Sequence, residues 1–548
     1  MIGFARQQFE KLINVELKAG SSLLDQLKLS SSLQLIDLKA ADFLTKGLDT
    51  TQNTYLLLAF LFAASRRGHL CIEVGTPIAP SIKSIWAIES SDDLKSLNKA
   101  FLKGFEELKN LSIEMSSSFK LIENKLYLEK SFVYERDIDE YFNKIEKDSP
   151  ALKVDFQKNE TSLNQLQAEA IKKSFESSIS FITGGPGVGK TYTATFLIKE
   201  FLKQHPTSRV AIAAPTGKAV ANLEQYLSKL SISSENAIES YTLHKLFYQK
   251  IYSFLPFDLI IIDESSMVDT HFMLQLLKYY KPHSRIIFLG DPHQLPPVGS
   301  GFVFGDLFIK SLYKTKLVEC LRTEIKEIIE CAEYVKNGQE SLFLEKISQE
   351  SVFFELDDKE LVYKTILKKI PKFDLEDSLY NQLLKLQKYK ILSPLRRGEF
   401  GVDSLNQKIR LKLATNIHPI MILSNEYSLE LFNGDIGILI DQKEAIFFSR
   451  NLKEPFYEEI EKVRRIPVAL LPSYELAYCI SIHKSQGSEY DEVSIVIPKA
   501  SEVFSRELLY TAITRSKKSF EIFSSKNTLG EIIKNQTSRL SGLNPSET

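Results

Sequence analysis

The chain has 548 residues, of which 43% are hydrophobic and 11% aromatic, so it can bury the cores of about three to four domains. With 69 basic and 70 acidic side chains its net charge is -1, which excludes a general basic field and leaves only a local groove for any polyanion. The cysteines form no C-x-x-C pair, which predicts buried, reduced thiols rather than a disulfide framework or a zinc site. They are Cys71, Cys320, Cys331 and Cys479.

Neither a membrane segment nor a secretory leader is expected. The longest apolar run, residues 55–65, is too short to span a bilayer. The N-terminus lacks the basic head and apolar stretch of a signal peptide. We therefore expect a cytoplasmic protein that does not enter the membrane.

Residues 1–150 alternate helical patterns with a few strand-like pieces such as 69–74, and carry no catalytic constellation. A charged helical tract, 135–147, runs into Asp-Ser-Pro at 148–150, which is typical of a linker. We expect a separate, mainly helical domain over 1–150. Its apolar helix at 56–64 is either local core or an interface for a partner.

Residues 151–325 repeat a strand, loop, helix pattern, which predicts a parallel sheet covered by helices. The strands are expected at 179–183, 210–214, 259–263 and 285–289.

A glycine-rich loop with the spacing Gly-x4-Gly-Lys-Thr follows the first of these strands and precedes a helical stretch at 192–204. In such a loop backbone N–H groups turn around a phosphate chain, Lys190 reaches the β/γ oxygens and Thr191 holds Mg²⁺. The pattern predicts a site for ATP and Mg²⁺; the alternative is a chance loop or a binder without catalysis. The expected nucleotide-binding residues are Gly184, Gly185, Pro186, Gly187, Val188, Gly189, Lys190 and Thr191.

Two carboxylates, Asp263 and Glu264, end the apolar strand at 259–263. This is the position that a phosphate-loop enzyme requires at the carboxyl edge of its sheet. We expect Asp263 to bind Mg²⁺ through water and Glu264 to orient the attacking water. A solvated acidic turn is the alternative.

The second half reads as a mostly helical connector, 326–389, followed by a second sheet domain, 390–548. Inside it, residues 415–475 show short alternating strands with a turn at Asn433-Gly434-Asp435. This pattern predicts a small β-barrel insertion. The overall expectation is an α/β protein with two parallel-sheet domains.

Further motifs resemble elements of superfamily 1 helicases, in the same order along the chain. They are the stretches 213–219 (Ala-Ala-Pro-Thr-Gly-Lys-Ala), 290–297 (Gly-Asp-Pro-His-Gln-Leu-Pro-Pro), 481–489 (Ser-Ile-His-Lys-Ser-Gln-Gly-Ser-Glu) and 509–515 (Leu-Tyr-Thr-Ala-Ile-Thr-Arg), together with Gln167 and Arg322. Four stretches are similar to the corresponding motifs of the RecD branch, namely 215–219, 290–296, 395–406 and 431–437. The C-terminal sequence Arg539-Leu-Ser-Gly-Leu is similar to that of the RecD subunits of RecBCD complexes (exodeoxyribonuclease V). The resemblance covers about 160–548, and before residue 150 it rests mainly on length and a Leu-rich helix.

The resemblance implies two RecA-like domains, 151–325 and 390–548, and an SH3-like barrel at 415–475. It implies an ATP-dependent 5′-to-3′ DNA helicase acting on double-strand ends in recombinational repair. The partners implied are single-stranded DNA and RecB-like and RecC-like subunits, with the nuclease site in a partner chain. The N-terminal 1–150 would then dock a partner.

The same resemblance assigns roles around the triphosphate. Arg322 and Arg515 would offset the charge that develops on the γ-phosphate, Gln294 would sense that phosphate, and Gln167 would read the adenine. Gln167 can instead cap a helix, and Arg322 can instead be a surface ion-pair residue.

A strand-binding groove is expected from residues in or beside these motifs. Hydroxyl and backbone contacts to phosphate, with ring stacking, suit sequence-tolerant binding of single-stranded DNA. For His244, packing within a helix is an equal alternative. The candidates are Thr216, His244, His483 and Ser485.

Two other functions stay open. Asp435 and the triplet Asp441-Gln-Lys443 resemble the carboxylate and lysine set of a metal-dependent nuclease, but no third acidic residue has suitable spacing. A regulatory subunit with a structural nucleotide site is the other alternative. It does not account for Lys190, Asp263, Glu264, Gln294 and Arg515 occurring together.

Overall fold

A computed structural model describes residues 33–46, 50–75, 91–111, 118–148, 152, 163–228, 238–249, 253–318, 326–350, 352–373, 377–413, 415–449 and 463–543. Their strands form four sheets, two of them parallel. No helix in these ranges combines the length and apolar content needed to cross a bilayer. The α-helices are Leu35–Thr45, Gln52–Arg66, Ser91–Leu111, Glu129–Lys147, Gln165–Glu176, Lys190–Gln204, Gly217–Ser228, Leu243–Leu246, Thr270–Lys278, Val303–Lys310, Lys326–Lys336, Glu340–Gln349, Lys359–Lys369, Leu379–Lys385, Val402–Leu413, Arg506–Ile513 and Lys526–Lys534.

The first large sheet has six parallel strands. Its four central strands are buried along their whole length because helices cover both faces, as in Leu259–Ile262. The edge strands Ile238–Thr242 and Lys314–Leu317 are only partly buried. One face packs around Phe181 and Phe288 and the other around Ile182 and Leu289. The four predicted strands are confirmed within one residue at each end. In sheet order the strands are Ile238–Thr242, Val210–Ala214, Leu259–Ile262, Arg285–Gly290, Ile179–Gly184 and Lys314–Leu317.

The second large sheet has five parallel strands, one of which comes from the mostly helical segment 326–389. Part of 326–389 supplies an edge strand that pairs with the strand Ser516–Ser524. Cys331 and Phe343, on the connector helices, share a core with Ile495. The connector helices thus pack onto the second sheet, because their apolar faces are buried there. In order the strands are Phe353–Glu355, Ser516–Ser524, Tyr490–Val496, Tyr389–Ser393 and Cys479–Ser481.

An antiparallel sheet of five strands occupies the region predicted for the insertion. The tight hairpin turn lies at Asp441 and Gln442, whose φ angles are 49° and 56°, as a type I′ turn requires. The predicted turn at 433–435 is present too, with Gly434 at φ 93°. It lies at the end of the longer loop that joins the paired antiparallel strands Ile417–Ile422 and Ile436–Ile440. In order the strands are Val463–Pro467, Glu444–Phe448, Ile436–Ile440, Ile417–Ile422 and Tyr474–Leu476.

The N-terminal region packs its helices against a three-stranded antiparallel sheet of Cys71–Glu73, Lys125–Leu128 and Phe119–Ile122. The apolar helix at its centre is Gln52–Arg66, and the Phe60 ring lies 4.9 Å from that of Phe101. Both rings are fully buried. Of the two readings of residues 56–64, the structure therefore selects local core.

The helix Glu129–Lys147 corrects the predicted boundary at residue 150. Its apolar face, with Ile138 and Phe142, belongs to the core of the first large sheet, and the Phe142 ring lies 6.3 Å from that of Phe181. The Asp-Ser-Pro sequence marks where this helix ends, but not the surface against which it packs.

The C-terminal segment 539–543 returns to the N-terminal region. Arg539 donates to the carbonyls of Pro297, Gly299 and Gly301 at 2.7, 2.5 and 2.8 Å, and the next residue's N–H donates to His69 Nδ1 at 3.1 Å. Burial, with Arg539 nearby, lowers the pKa of His69 to about 4, so its ring is neutral and can accept. The chain end thus ties the loop 297–301 to the N-terminal region.

A lysine from each large sheet domain lies against the ring of Tyr490. Lys218 Nζ is 5.2 Å and Lys390 Nζ 5.4 Å from the ring centre, and Lys390 also donates to the Ala477 carbonyl at 2.7 Å. Burial, and then the charge of Lys218, lowers the pKa of Lys390 to about 7. The junction therefore keeps a buried amine that loses its charge easily.

We expect Lys390→Met to change the pH dependence of stability. Between about pH 7 and the ordinary value of 10.5, the unfolded chain holds a proton that the folded chain has released, so the stability of the unmodified protein rises with pH. The variant has no such group, and its melting temperature relative to the unmodified protein should decline steadily over that window. Thermal melts at about one-unit pH intervals measure this, and Lys443→Met, at an exposed turn, is the control. A difference in melting temperature between variant and unmodified protein that stays constant with pH would contradict this expectation.

Candidate nucleotide-binding cleft

A cleft of about 430 Å³ lies between the two parallel sheets, at the carboxyl edge of the first. It brings together Lys190, Asp263, Glu264, Gln294 and Arg515, which are separated by more than 300 positions in the sequence. The residues that line it are Gly185, Pro186, Gly187, Gly189, Lys190, Thr191, Tyr192, Lys218, Ala219, Asp263, Glu264, Gln294, Gln387, Gly487, Glu489, Arg515 and Lys517.

The glycine-rich loop joins the strand Ile179–Gly184 to the helix Lys190–Gln204. Gly187 and Gly189 take positive φ angles of 74° and 81°, which residues with a Cβ rarely adopt. Lys190 Nζ donates to the carbonyls of Gly184 and Gly185 at 2.7 and 3.0 Å. The loop thus turns its N–H groups and the positive end of the helix dipole toward one point, which suits an anion.

The two carboxylates follow the buried strand Leu259–Ile262. Thr191 Oγ1 lies 3.5 Å from Asp263 Oδ2, and the Glu264 N–H donates to Asp263 Oδ1 at 2.8 Å. Burial and the neighbouring Glu264 raise the pKa of Asp263 to about 7. A carboxylate that is costly to ionise next to a hydroxyl fits a divalent cation, because Mg²⁺ prefers such oxygen donors and completes its shell with water and phosphate.

Gln294 lies at the floor of the cleft and is 4% exposed. Its Oε1 atom is buried and has no hydrogen-bond partner among the described residues. A buried acceptor of this kind is costly unless a donor reaches it. The site therefore fits a water or another proton donor at this atom.

Arg515 faces the cleft from the second domain and is 3% exposed. Its guanidinium donates to the carbonyls of Thr511 and Ser488 at 3.0 and 3.3 Å and to Thr514 Oγ1 at 3.1 Å. These contacts hold a permanent cation at the wall opposite the phosphate loop.

Two other residues are predicted from the sequence to contact the nucleotide, Gln167 and Arg322. Gln167 is fully buried, caps its helix by accepting from the Asn164 N–H at 3.0 Å, and donates to the Val188 carbonyl at 3.3 Å. The capping alternative is therefore realised, in a residue that also supports the phosphate loop but does not line the cleft. Arg322 lies outside the described residues.

The predicted strand-binding residues lie in different settings. Thr216 Oγ1 accepts from the Ala219 N–H at 3.3 Å at the start of a helix. His244 is exposed and meets the Phe272 ring edge-on at 4.6 Å, and burial lowers the pKa of the half-buried His483. Ser485 is fully buried and donates to the Ile482 carbonyl at 2.7 Å. In this conformation its hydroxyl faces the protein interior, and its predicted contact with a strand stays a prediction.

The carboxylates of the nuclease alternative do not form a metal site. Asp441 lies in the exposed hairpin turn, and Asp435 accepts from the Phe432 N–H at 2.9 Å. The described part of the chain contains no group of three or more His, Cys, Asp or Glu side chains placed to hold a metal.

Sequence reasoning missed several residues of the cleft wall. Glu489 and Lys517 lie within or beside the motifs at 481–489 and 509–515, so proximity to a motif was a usable signal. Tyr192, directly after the phosphate loop, carried the same signal. No motif adjoins Gln387 in the sequence. It lies in the predicted connector, and it lines the cleft because of the position that the next strand takes in the second sheet.

Comparisons with known proteins show which families and proteins this chain resembles. Residues 162–358 match the family described as an AAA domain, and 476–520 a UvrD-like helicase C-terminal domain. The RecBCD enzyme subunit RecD of Buchnera aphidicola subsp. Acyrthosiphon pisum is 30% identical over 522 residues, which cover 78% of this chain and 85% of that protein. The Haemophilus influenzae RecBCD enzyme subunit RecD is 29% identical over 76% of each chain. A crystal structure of Bacteroides Pif1 bound to ssDNA aligns over 67% of this chain and 94% of that one, with a TM-score of 0.40 and 19% identity.

A phosphate loop, a carboxylate pair and an arginine facing them from a second parallel sheet define a P-loop nucleoside triphosphatase with two sheet domains. The extent and identity of the match to the Buchnera protein narrow this class to one family. The chain belongs to the RecD family.

We expect Arg515→Ala to lower the turnover of ATP by about 10³-fold, as for other arginines that act on the γ-phosphate. Nucleotide affinity should change little, because the loop and Lys190 remain. Steady-state hydrolysis and equilibrium binding of a fluorescent nucleotide measure the two effects separately. Arg465→Ala, at an exposed strand position of the insertion, is the matched control. Turnover within twofold of the control would exclude the role.

Proposed function

We propose that this chain is the 5′-to-3′ motor subunit of a RecBCD-type helicase–nuclease that acts at double-strand DNA ends in recombinational repair. It is an ATP-hydrolysing DNA helicase of the RecD family. The observation that carries the proposal is the pairing of the phosphate loop with Arg515 across one cleft between two sheets. Nucleotide state can then control the distance between the two domains.

The residues of the first domain bind and orient the triphosphate. Backbone N–H groups of the loop and the Lys190 ammonium hold the β- and γ-phosphates, after Lys190 exchanges the loop carbonyls for phosphate oxygens. Thr191 and, through water, Asp263 would hold Mg²⁺, which supplies charge neutralisation on the phosphate oxygens.

The attacking water is held by polar groups of the cleft. Glu264 orients it, and the buried Gln294 Oε1 can accept a hydrogen bond from it. Arg515, joined by Arg322, offsets the charge that develops on the γ-phosphate. Once that phosphate is gone the attraction across the cleft weakens and the domains separate, which gives one step of a motor cycle.

The strand-binding residues connect this cycle to DNA. Thr216 of the first domain approaches the second, since a Cβ on Gly487 would lie 3.4 Å from its hydroxyl oxygen. We assign to a sequence-tolerant groove the four predicted residues Thr216, His244, His483 and Ser485. The 5′-to-3′ direction rests on family membership alone.

The domain roles belong to the same proposal. Residues 151–325, with the helix Glu129–Lys147, form the first RecA-like domain, and 326–548 the second, with an SH3-like barrel at 415–475. The N-terminal region docks RecB-like and RecC-like subunits, one of which carries the nuclease, and the complex works in the cytoplasm. The similar RecD proteins are named as RecBCD subunits.

We expect unwinding of a duplex with a 5′ single-stranded tail, and none with a 3′ tail, by the chain assembled with its partner subunits. A partner subunit with its own motor would unwind DNA independently, so only unwinding that is lost in Lys190→Gln is attributed to this chain. Strand displacement followed by fluorescence gives the measurement, with Lys190→Gln as the inactive control. ATP binding without unwinding in any assembly would favour the regulatory-subunit alternative.

We expect the exposed apolar side chains of the helix Leu35–Thr45 to contact a partner subunit. Ile36 and Phe43, one heptad apart and on the same face, are 66% and 78% exposed. The double variant Ile36→Asp, Phe43→Asp should weaken co-purification with RecB-like and RecC-like subunits at least tenfold, because charge would enter an apolar contact. Leu411→Asp, at a position 74% exposed on the second domain, is the control. Equal recovery of both variants would contradict docking at this helix.

A further inference from the structure

Tyr510 joins the two domains at the back of the phosphate loop. It lies on the helix Arg506–Ile513 of the second domain, and its hydroxyl donates to Asp291 Oδ2 of the first at 2.7 Å. The two residues are 2% and 1% exposed. Burial, and then the charge of Asp291, raises the pKa of Tyr510 well above its usual value, so the hydroxyl keeps its proton and donates.

The same hydroxyl touches the phosphate loop. A Cβ added to Gly185 would lie 3.3 Å from the Tyr510 oxygen, a tight contact that would require one of the two groups to shift. Asp291 Oδ1 accepts from the His293 N–H at 3.0 Å. One side chain of the second domain therefore meets both the loop that holds phosphate and the segment that carries Gln294.

Gln294 is held on both sides by the second domain. Asp291, three residues before it, accepts from Tyr510. Leu295, directly after it, donates its N–H to Thr511 Oγ1 at 3.0 Å and accepts from Gln486 Nε2 at 3.2 Å. The orientation of Gln294 in the cleft thus depends on bonds that exist only while the domains are together.

We propose that Tyr510 is a positioning residue for ATP hydrolysis, whose hydrogen bond to Asp291 couples closure of the cleft to the placement of Gln294 and the phosphate loop. This inference rests on the proposed function. The bond crosses the domain junction, so an open cleft lacks it and a closed one gains it. Its loss should lower turnover more than nucleotide affinity, because it contributes where the transition state is formed.

Tyr510→Phe removes the hydroxyl and keeps the ring. Tyr389→Phe is the matched control, since Tyr389 is a buried tyrosine of the same domain whose hydroxyl donates to Ser494 at 2.7 Å within one sheet. We expect Tyr510→Phe to lower the DNA-stimulated kcat about tenfold, the size typical of one hydrogen bond to a charged group. The KM for ATP should stay within about twofold of wild type. An unchanged kcat, a loss no greater than in Tyr389→Phe, or a raised KM with normal kcat would overturn the proposal.

A double-mutant cycle separates coupling from simple damage. If the two groups act through one bond, Tyr510→Phe with Asp291→Asn should reduce kcat no further than the more harmful single change. If the double variant instead loses kcat by the product of the two single losses, the two side chains act independently, which contradicts the proposal.

Hydrogen exchange tests the geometry without turnover. In the full chain with a non-hydrolysable ATP analogue, which keeps the γ-phosphate and the closed cleft, peptides that contain 184–191 and 290–297 should exchange faster in Tyr510→Phe and not in Tyr389→Phe; equal exchange would refute the coupling. If the wild type shows no DNA-stimulated hydrolysis the proposed function fails, and the exchange result still decides the role of Tyr510.

Discussion

The hydrogen bonds that cross the cleft between residues 291–295 and residues 486–511 hold two separately folded sheets in one arrangement. Each sheet has its own apolar core, and Leu295 of the first domain is the one residue of that domain in the described core of the second, so hydrophobic burial alone does not decide how the domains face each other. Directional hydrogen bonds fix the relative position of the two domains, because a donor and an acceptor must meet within a few tenths of an ångström. The position of Arg515 relative to the phosphate loop follows from them.

Separate apolar cores joined by a few hydrogen bonds suit a protein whose two domains must separate and come together again. A wide apolar interface between the sheets would resist separation, whereas a few hydrogen bonds cost little to break and restore the same geometry on closing. Gln294 Oε1, a buried acceptor without a partner among the described residues, lies at the place where nucleotide would enter. The cleft is thus complete only with its substrate bound.

A second constraint comes from the chain end. Arg539 holds the carbonyls of Pro297 and Gly301, and the Gly542 N–H donates to Glu135 Oε2 at 2.8 Å. The loop that follows Gln294 is therefore anchored to the helix Glu129–Lys147 and to the N-terminal region. A partner that binds this region would act on a body that includes part of the nucleotide site.

The local motifs could be predicted from the amino-acid sequence because their geometry is local. The glycines at 184–189, the strand that ends at Asp263 and the alternation of strands and helices follow from backbone sterics and apolar periodicity. The tertiary structure decided what depends on distant partners: the edge strand Phe353–Glu355, the packing of Glu129–Lys147, the burial of Ser485, and the contact of Tyr510 with Asp291. These pairs are separated by up to 219 positions, and no local pattern encodes which surfaces meet, since the free energy that selects them arises only when the sheets are packed together.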